Sequence, residues 1–110
     1  MKDYVINPDL GNFEALRSFR ASLHRQGMAL ILDFVPNHTA LDHPWISEHP
    51  EYYIPGTAKE LKREPEGWFS TKTGKGKMIL AHGRDPKFPA WTDTAQLNIF
   101  HSGARKALIA

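Results

Sequence analysis

Met28-Ala29-Leu30-Ile31-Leu32 is an apolar run with no polar break, and Phe34 and Val35 continue it past Asp33. Successive side chains of a strand point to opposite faces, so a run without alternation is apolar on both faces. Such a strand persists only inside a sheet covered on both sides, which is the parallel sheet of α/β proteins. Pro36 closes the run, because proline has no N–H to give to a ladder. The residues before it predict a helix. Asn12 can cap the first turn, Glu14 suits the positive end of the dipole, and Leu16, Phe19 and Leu23 form one stripe. Gly27 stands where a left-handed residue ends a helix. Helix, tight turn and buried strand make half of a repeating β/α unit.

Between Thr39 and Gln96 the periodicity is lost. This stretch carries Pro44, Pro50, Pro55, Pro65, Pro86 and Pro89 and all three tryptophans. Its aromatic content argues against a disordered linker, so it reads as an ordered insertion. One hairpin is expected, with Trp68–Thr71 and Lys77–Leu80 as arms around Gly74 and Gly76. Ser102 is placed to cap a last helix whose apolar face begins with Ala104, Ala107 and Leu108.

Composition narrows the partners. The formal net charge is +2, with Lys and Arg scattered among acids, which gives no basis for nucleic-acid or anionic-membrane binding. There is no cysteine, so disulfides, thiolate metal sites and cysteine nucleophiles are excluded. No apolar run approaches a membrane span, and Met1–Asn7 lacks the core of a signal peptide, so a cytoplasmic location is expected.

The chemistry gathers where the predicted strand ends, at Asp33-Phe34-Val35-Pro36-Asn37-His38. Ligand sites in parallel α/β folds lie at the carboxyl ends of strands. The residues alone admit two readings: a binding site, or a polar strand end with local turn bonds. The order of features adds to the first. A strand ending Asp-x-x-x-Asn-His after a Gly-terminated helix resembles the first conserved region of the alpha-amylase family of glycoside hydrolases. Asp3-Tyr4 and Asp9-Leu10-Gly11 resemble that family's approach to its second barrel helix. His43-Pro44-Trp45 and Trp91-Thr92-Asp93-Thr94 through Leu97-Asn98 resemble the edges of its insertion after the third strand.

The resemblance implies a partial (β/α)8 TIM barrel. Residues 1–38 would be a barrel segment, with a helix over about 12–26 and a strand over about 28–35. Residues 39–97 would be a loop-rich inserted subdomain, and 98–110 the start of the next barrel helix. Asp33 would orient an arginine near the nucleophile, as a carboxylate can take both bonds of a guanidinium fork. Asn37 would organise the loop and, in calcium-binding members, ligate the ion. His38 would hydrogen-bond the sugar at the point of cleavage. Trp45 and Trp91 are candidates to stack on sugar rings, or to form the insertion's own core. One departure bears on the cofactor. Gln96 stands where many members carry an acid before Leu-Asn or Leu-Asp, and a hard cation prefers carboxylates. No cofactor is therefore expected.

The family's nucleophile and acid/base come from its fourth and fifth strands, with a further aspartate after the seventh, and none of the acids here occupies such a position. The expectation is a segment of an alpha-glucan- or alpha-glucoside-acting hydrolase or transglycosylase, inactive alone. The alternative is a free-standing non-catalytic carbohydrate-binding or interaction module. Two other patterns carry nothing. His38, His43 and His49 match no zinc spacing, and Lys72–Lys77 lacks the frame of a phosphate loop.

Overall fold

Asn12 begins the first helix as its chemistry predicts: its Oδ1 accepts the Ala15 N–H at 2.9 Å. The computed structural model describes residues 5–110, so Asp3-Tyr4 and the first residues of the N-terminal stretch lie outside the described residues. The chain falls into two units that divide between Phe34 and Val35.

The first unit opens with a 3-10 turn at Pro8–Leu10, followed by helix α1, Phe13–Arg25. Gly27 has φ +73° and donates to the His24 carbonyl, while Met28 donates to Leu23. These paired bonds close the helix through a left-handed glycine. Among the described residues the strand expected over residues 28–35 forms no ladder. Residues 28–36 carry no ladder, and Ile31 and Leu32 are 89% and 64% exposed. The physical reason is that a strand is made by its neighbours, and the described strands lie in ladders of their own.

The second unit is built on two small antiparallel sheets. Strand β1, His38–Ala40, is followed by helix α2, Pro44–Glu48, and a 3-10 turn at Pro50–Tyr52. Next come strand β2, Pro55–Gly56, helix α3, Ala58–Arg63, the hairpin of β3, Trp68–Thr73, and β4, Gly76–Ala81, then β5, Thr94–Gln96, and helix α4, Ser102–Ile109. In one sheet β1 pairs with β5, placing His38 opposite Gln96 and Thr39 opposite Ala95. In the other the order is β2-β4-β3. The hairpin lies where it is expected, with each arm longer by two residues. Thr57 and Glu60 form a reciprocal capping box on α3. The last helix is capped by the His101 ring, one residue before the expected Ser102.

Ile46, Tyr53, Leu80, Ala95 and Leu97 form a buried cluster, with Trp45, Tyr52, Phe69, Met78 and Leu108 packed against it. The insertion therefore holds a core of its own, supplied by the turns and short strands rather than by a regular apolar stripe. Among the described residues no helix is long and apolar enough to cross a membrane.

Candidate sugar-binding site

His38 opens β1, and three features of the chain converge on it. Register places it opposite Gln96. The Trp91 ring lies with its centroid 5.1 Å from the imidazole, the planes tilted by 56°. Gly83 lets both approach: a Cβ built there would stand 2.9 Å from the His38 Cβ and 2.5 Å from the Thr94 Oγ1. Gly83 also donates its N–H to Thr94 Oγ1 at 3.1 Å and accepts the Trp91 N–H at 2.8 Å. Only a residue without a side chain fits this crossing.

The protonation of His38 follows from its partner. The Asn37 Nδ2 lies 3.2 Å from the His38 Nδ1. An amide nitrogen only donates, so Nδ1 is the acceptor and the neutral ring carries its proton on Nε2. Burial, the first cause, holds the imidazole below its ordinary pKa, partly opposed by the Asp93 carboxylate. The site thus presents a neutral, donating imidazole beside an indole that is 38% exposed.

Asn37 and Gln96 form a second element of the site. Gln96 Nε2 donates to the Asn37 main-chain oxygen at 2.9 Å and to its Oδ1 at 3.0 Å. Asn37 Nδ2 returns a longer bond of 3.4 Å to Gln96 Oε1. That same Oε1 accepts the Arg84 N–H at 3.1 Å. The Arg84 side chain goes on to Glu64 at 3.0 Å.

Each of the other expected positions has its own surroundings. Asp33 belongs to the first unit, is exposed, and has no ion pair among the described residues. Trp45 is taken up by the core: its ring packs edge-on to Tyr52 at 5.5 Å and against His43 at 4.8 Å. His43 is buried and caps α2 by accepting the Trp45 N–H, and His49 stacks on Tyr52 at 4.7 Å. Among the described residues no group of three or more His, Cys, Asp or Glu is placed to hold a metal ion. The Lys72–Lys77 run is the turn of the β3–β4 hairpin, where Thr73 Oγ1 donates to the Gly76 carbonyl.

Gly83, Arg84 and His82 carry no sequence motif, yet they build the site's floor. His82 is buried, bonds the Thr94 carbonyl through Nδ1 at 2.7 Å and stacks on Phe69. A glycine between a buried strand and a basic residue was the available signal, and it is a weak one.

The profile of the alpha-amylase catalytic domain matches residues 1–101. An alpha-1,4-glucan:maltose-1-phosphate maltosyltransferase of Cereibacter sphaeroides is 39% identical over 65 residues, covering 56% of this chain and 10% of the relative. An alpha-glucosidase of Culex pipiens is 28% identical over 99 residues, covering 84% of this chain and 15% of the relative. The chain thus spans a small fraction of the length of the curated relatives it matches. Among solved structures, an alpha-amylase from H. orenii superposes with a TM-score of 0.67 at 23% identity, over 99% of this chain and 23% of that one. That likeness is one of fold. Together with the profile match along nearly the whole chain, it establishes that this chain belongs to the alpha-amylase catalytic-domain family.

Proposed function

We propose that the chain is the part of an alpha-amylase-family (β/α)8 barrel running from the second barrel helix through the third strand and its inserted subdomain to the start of the third helix. In the longer polypeptide it forms one wall of a sugar-binding cleft, in an enzyme acting on alpha-glucosidic bonds. The observation that supports this most is His38 beside Trp91. A neutral imidazole with its proton on Nε2 can donate to a hydroxyl, and an indole face suits the C–H face of a pyranose. Asn37 sets the imidazole's tautomer through its bond to Nδ1. Asp33 acts as the acid that orients an arginine from another strand, and such a charge-assisted fork needs the neighbouring strands to assemble around it. A retaining glycosidase needs two carboxyl groups about 5–5.5 Å apart, and this segment supplies neither.

The test compares the polypeptide at its native length with its His38→Ala and Trp91→Ala variants on soluble starch and chromogenic alpha-glucosides. Each variant is expected to lose roughly tenfold or more in kcat/KM, the scale of one lost hydrogen bond or stacking contact. Unchanged kinetics in both would reject the site. The 110-residue chain alone is expected at background rates, and turnover by it that His38→Ala abolishes would reject the assignment of the chemistry to other strands.

The buried cluster within Val35–Ala110 favours, as a second reading, a free-standing non-catalytic carbohydrate-binding module. Continuation of the coding frame into a Gly-Phe-Arg-x-Asp-like strand would exclude that reading.

A further inference from the structure

The resemblance to calcium-binding members puts a cation beside Asn37, and the donor set here does not fit one. The Arg84 main-chain N–H can only donate, and it meets Gln96 Oε1 at 3.1 Å. The Asn37 main-chain oxygen can only accept, and it meets Gln96 Nε2 at 2.9 Å. These two bonds fix which way the Gln96 amide faces. Its NH2 is aimed at Asn37, and the Asn37 Oδ1 is engaged by the same nitrogen at 3.0 Å. The oxygen that would ligate a cation therefore points its lone pair at an N–H group, and a cation in that space would face the positive end of an amide dipole. Calcium takes six to eight oxygens, with carboxylates foremost, and residue 96 contributes no charge. Arg84, the next residue in the chain of bonds, sends its own cation to Glu64.

We infer that the Asn37–Gln96 amide pair is a metal-free clasp that joins the start of β1 to the end of β5, and that the protein needs no calcium at this place. The bonds bridge residues 59 apart in sequence, on opposite ends of the insertion. A bridging cation would do the same mechanical job, holding the residue next to His38 against the far end of the inserted segment. Here the hydrogens of one amide do it, and His38 inherits its position through the Asn37 Nδ2 bond. The inference rests on family membership and not on the proposed activity, and its test reads no activity.

The polypeptide at native length is melted in millimolar calcium and in chelator, as wild type, Gln96→Ala and Gln96→Asp. The wild-type Tm is expected to be the same in both solutions. Gln96→Ala should melt lower by about 2–4 °C or more, with no rescue by calcium. Gln96→Asp should be weak in chelator and recover with calcium, since the new carboxylate restores a charged oxygen donor. A wild-type Tm that rises with calcium, or saturable calcium binding to wild type in calorimetry that Asn37→Ala abolishes, would overturn the inference. So would a Gln96→Ala variant with unchanged Tm, or a folded Gln96→Asp variant indifferent to calcium. If Gln96→Asp does not fold, the wild-type calorimetry decides.

Discussion

The Tyr53 and Thr39 hydroxyls lie 2.9 Å apart with both residues almost fully buried, so a side-chain bond ties β1 to the core. Thr39 Oγ1 spends its own proton on the Ala40 carbonyl at 3.1 Å. Tyr53 must therefore be the donor. Burial pushes its phenol up to about 12 from an ordinary 10.0.

That shift predicts an alkaline weakness. The folded state holds the proton more tightly than the unfolded chain, so the contribution is complete below about 10 and is lost as pH rises from there towards about 12. Tyrosinate absorbance should show a last ionisation near the top of that window, and Tyr53→Phe should remove it. The variant should also lose about 0.5–1.5 kcal/mol at neutral pH, read as a shift of the urea midpoint. A high-pH ionisation that survives Tyr53→Phe would contradict the assignment.

Gly83 gives a prediction that links packing to the site. A methyl group there meets Thr94 Oγ1 at 2.5 Å and His38 Cβ at 2.9 Å, and neither is the far end of a flexible chain. Gly83→Ala is expected to cost about 1–3 kcal/mol by overpacking. It should also displace the His38 ring from Trp91, visible as a change in the His38 ring proton shifts. Native stability together with native shifts would show that the crossing has slack.

A surface ion pair anchors the hairpin turn. Lys75 Nζ lies 2.7 Å from Glu51 Oε2, and the Gly74 N–H donates to the Ser47 carbonyl beside it. The Lys75 hydrogen bond is the largest cause that holds the Glu51 carboxyl at about 2, below its ordinary 4.5. Because the folded pKa is depressed, the contribution is present above about 4.5 and fades as pH falls towards about 2. Carboxyl carbon shifts should give a Glu51 midpoint near that lower value, moving up in Lys75→Met. Water screens this pair, so the effect on melting at neutral pH should be small. An unmoved midpoint in Lys75→Met would assign the shift to other groups.

The contrast between helix α1 and the run after it shows what the sequence could convey. Asn12, Gly27 and the stripe between them act within a few residues of one another, so the helix and both its ends were legible. The β3–β4 hairpin was legible for the same reason, because its turn residues and arms are neighbours. The run at 28–35 states an apolar demand but names no partner, and its pairing depends on strands far away in sequence. Within the site, Asn37 and His38 were legible as a motif. Gly83 was not legible as a neighbour of His38, because only its bridge to Trp91 and its bond to Thr94 bring positions so far apart together.

That run carries the last prediction. Main-chain groups without partners exchange with solvent, and a strand draws its protection from the chains beside it. In the 110-residue chain the amides of residues 29–33 should exchange quickly, while those paired between β3 and β4 should be protected. Ile31 and Leu32 are largely exposed, so the same segment should be the first to associate. Placing a charge there, as in Ile31→Lys, should raise the concentration at which the chain stays monomeric without lowering the protection of β3 and β4. In a polypeptide that carries the neighbouring barrel strands the result should invert. Residues 28–35 should then be among the slowest to exchange, because each face and each edge of the run is covered. Fast exchange of this segment in the longer polypeptide would mean that the run is not a barrel strand, and the family's architecture would not extend to it.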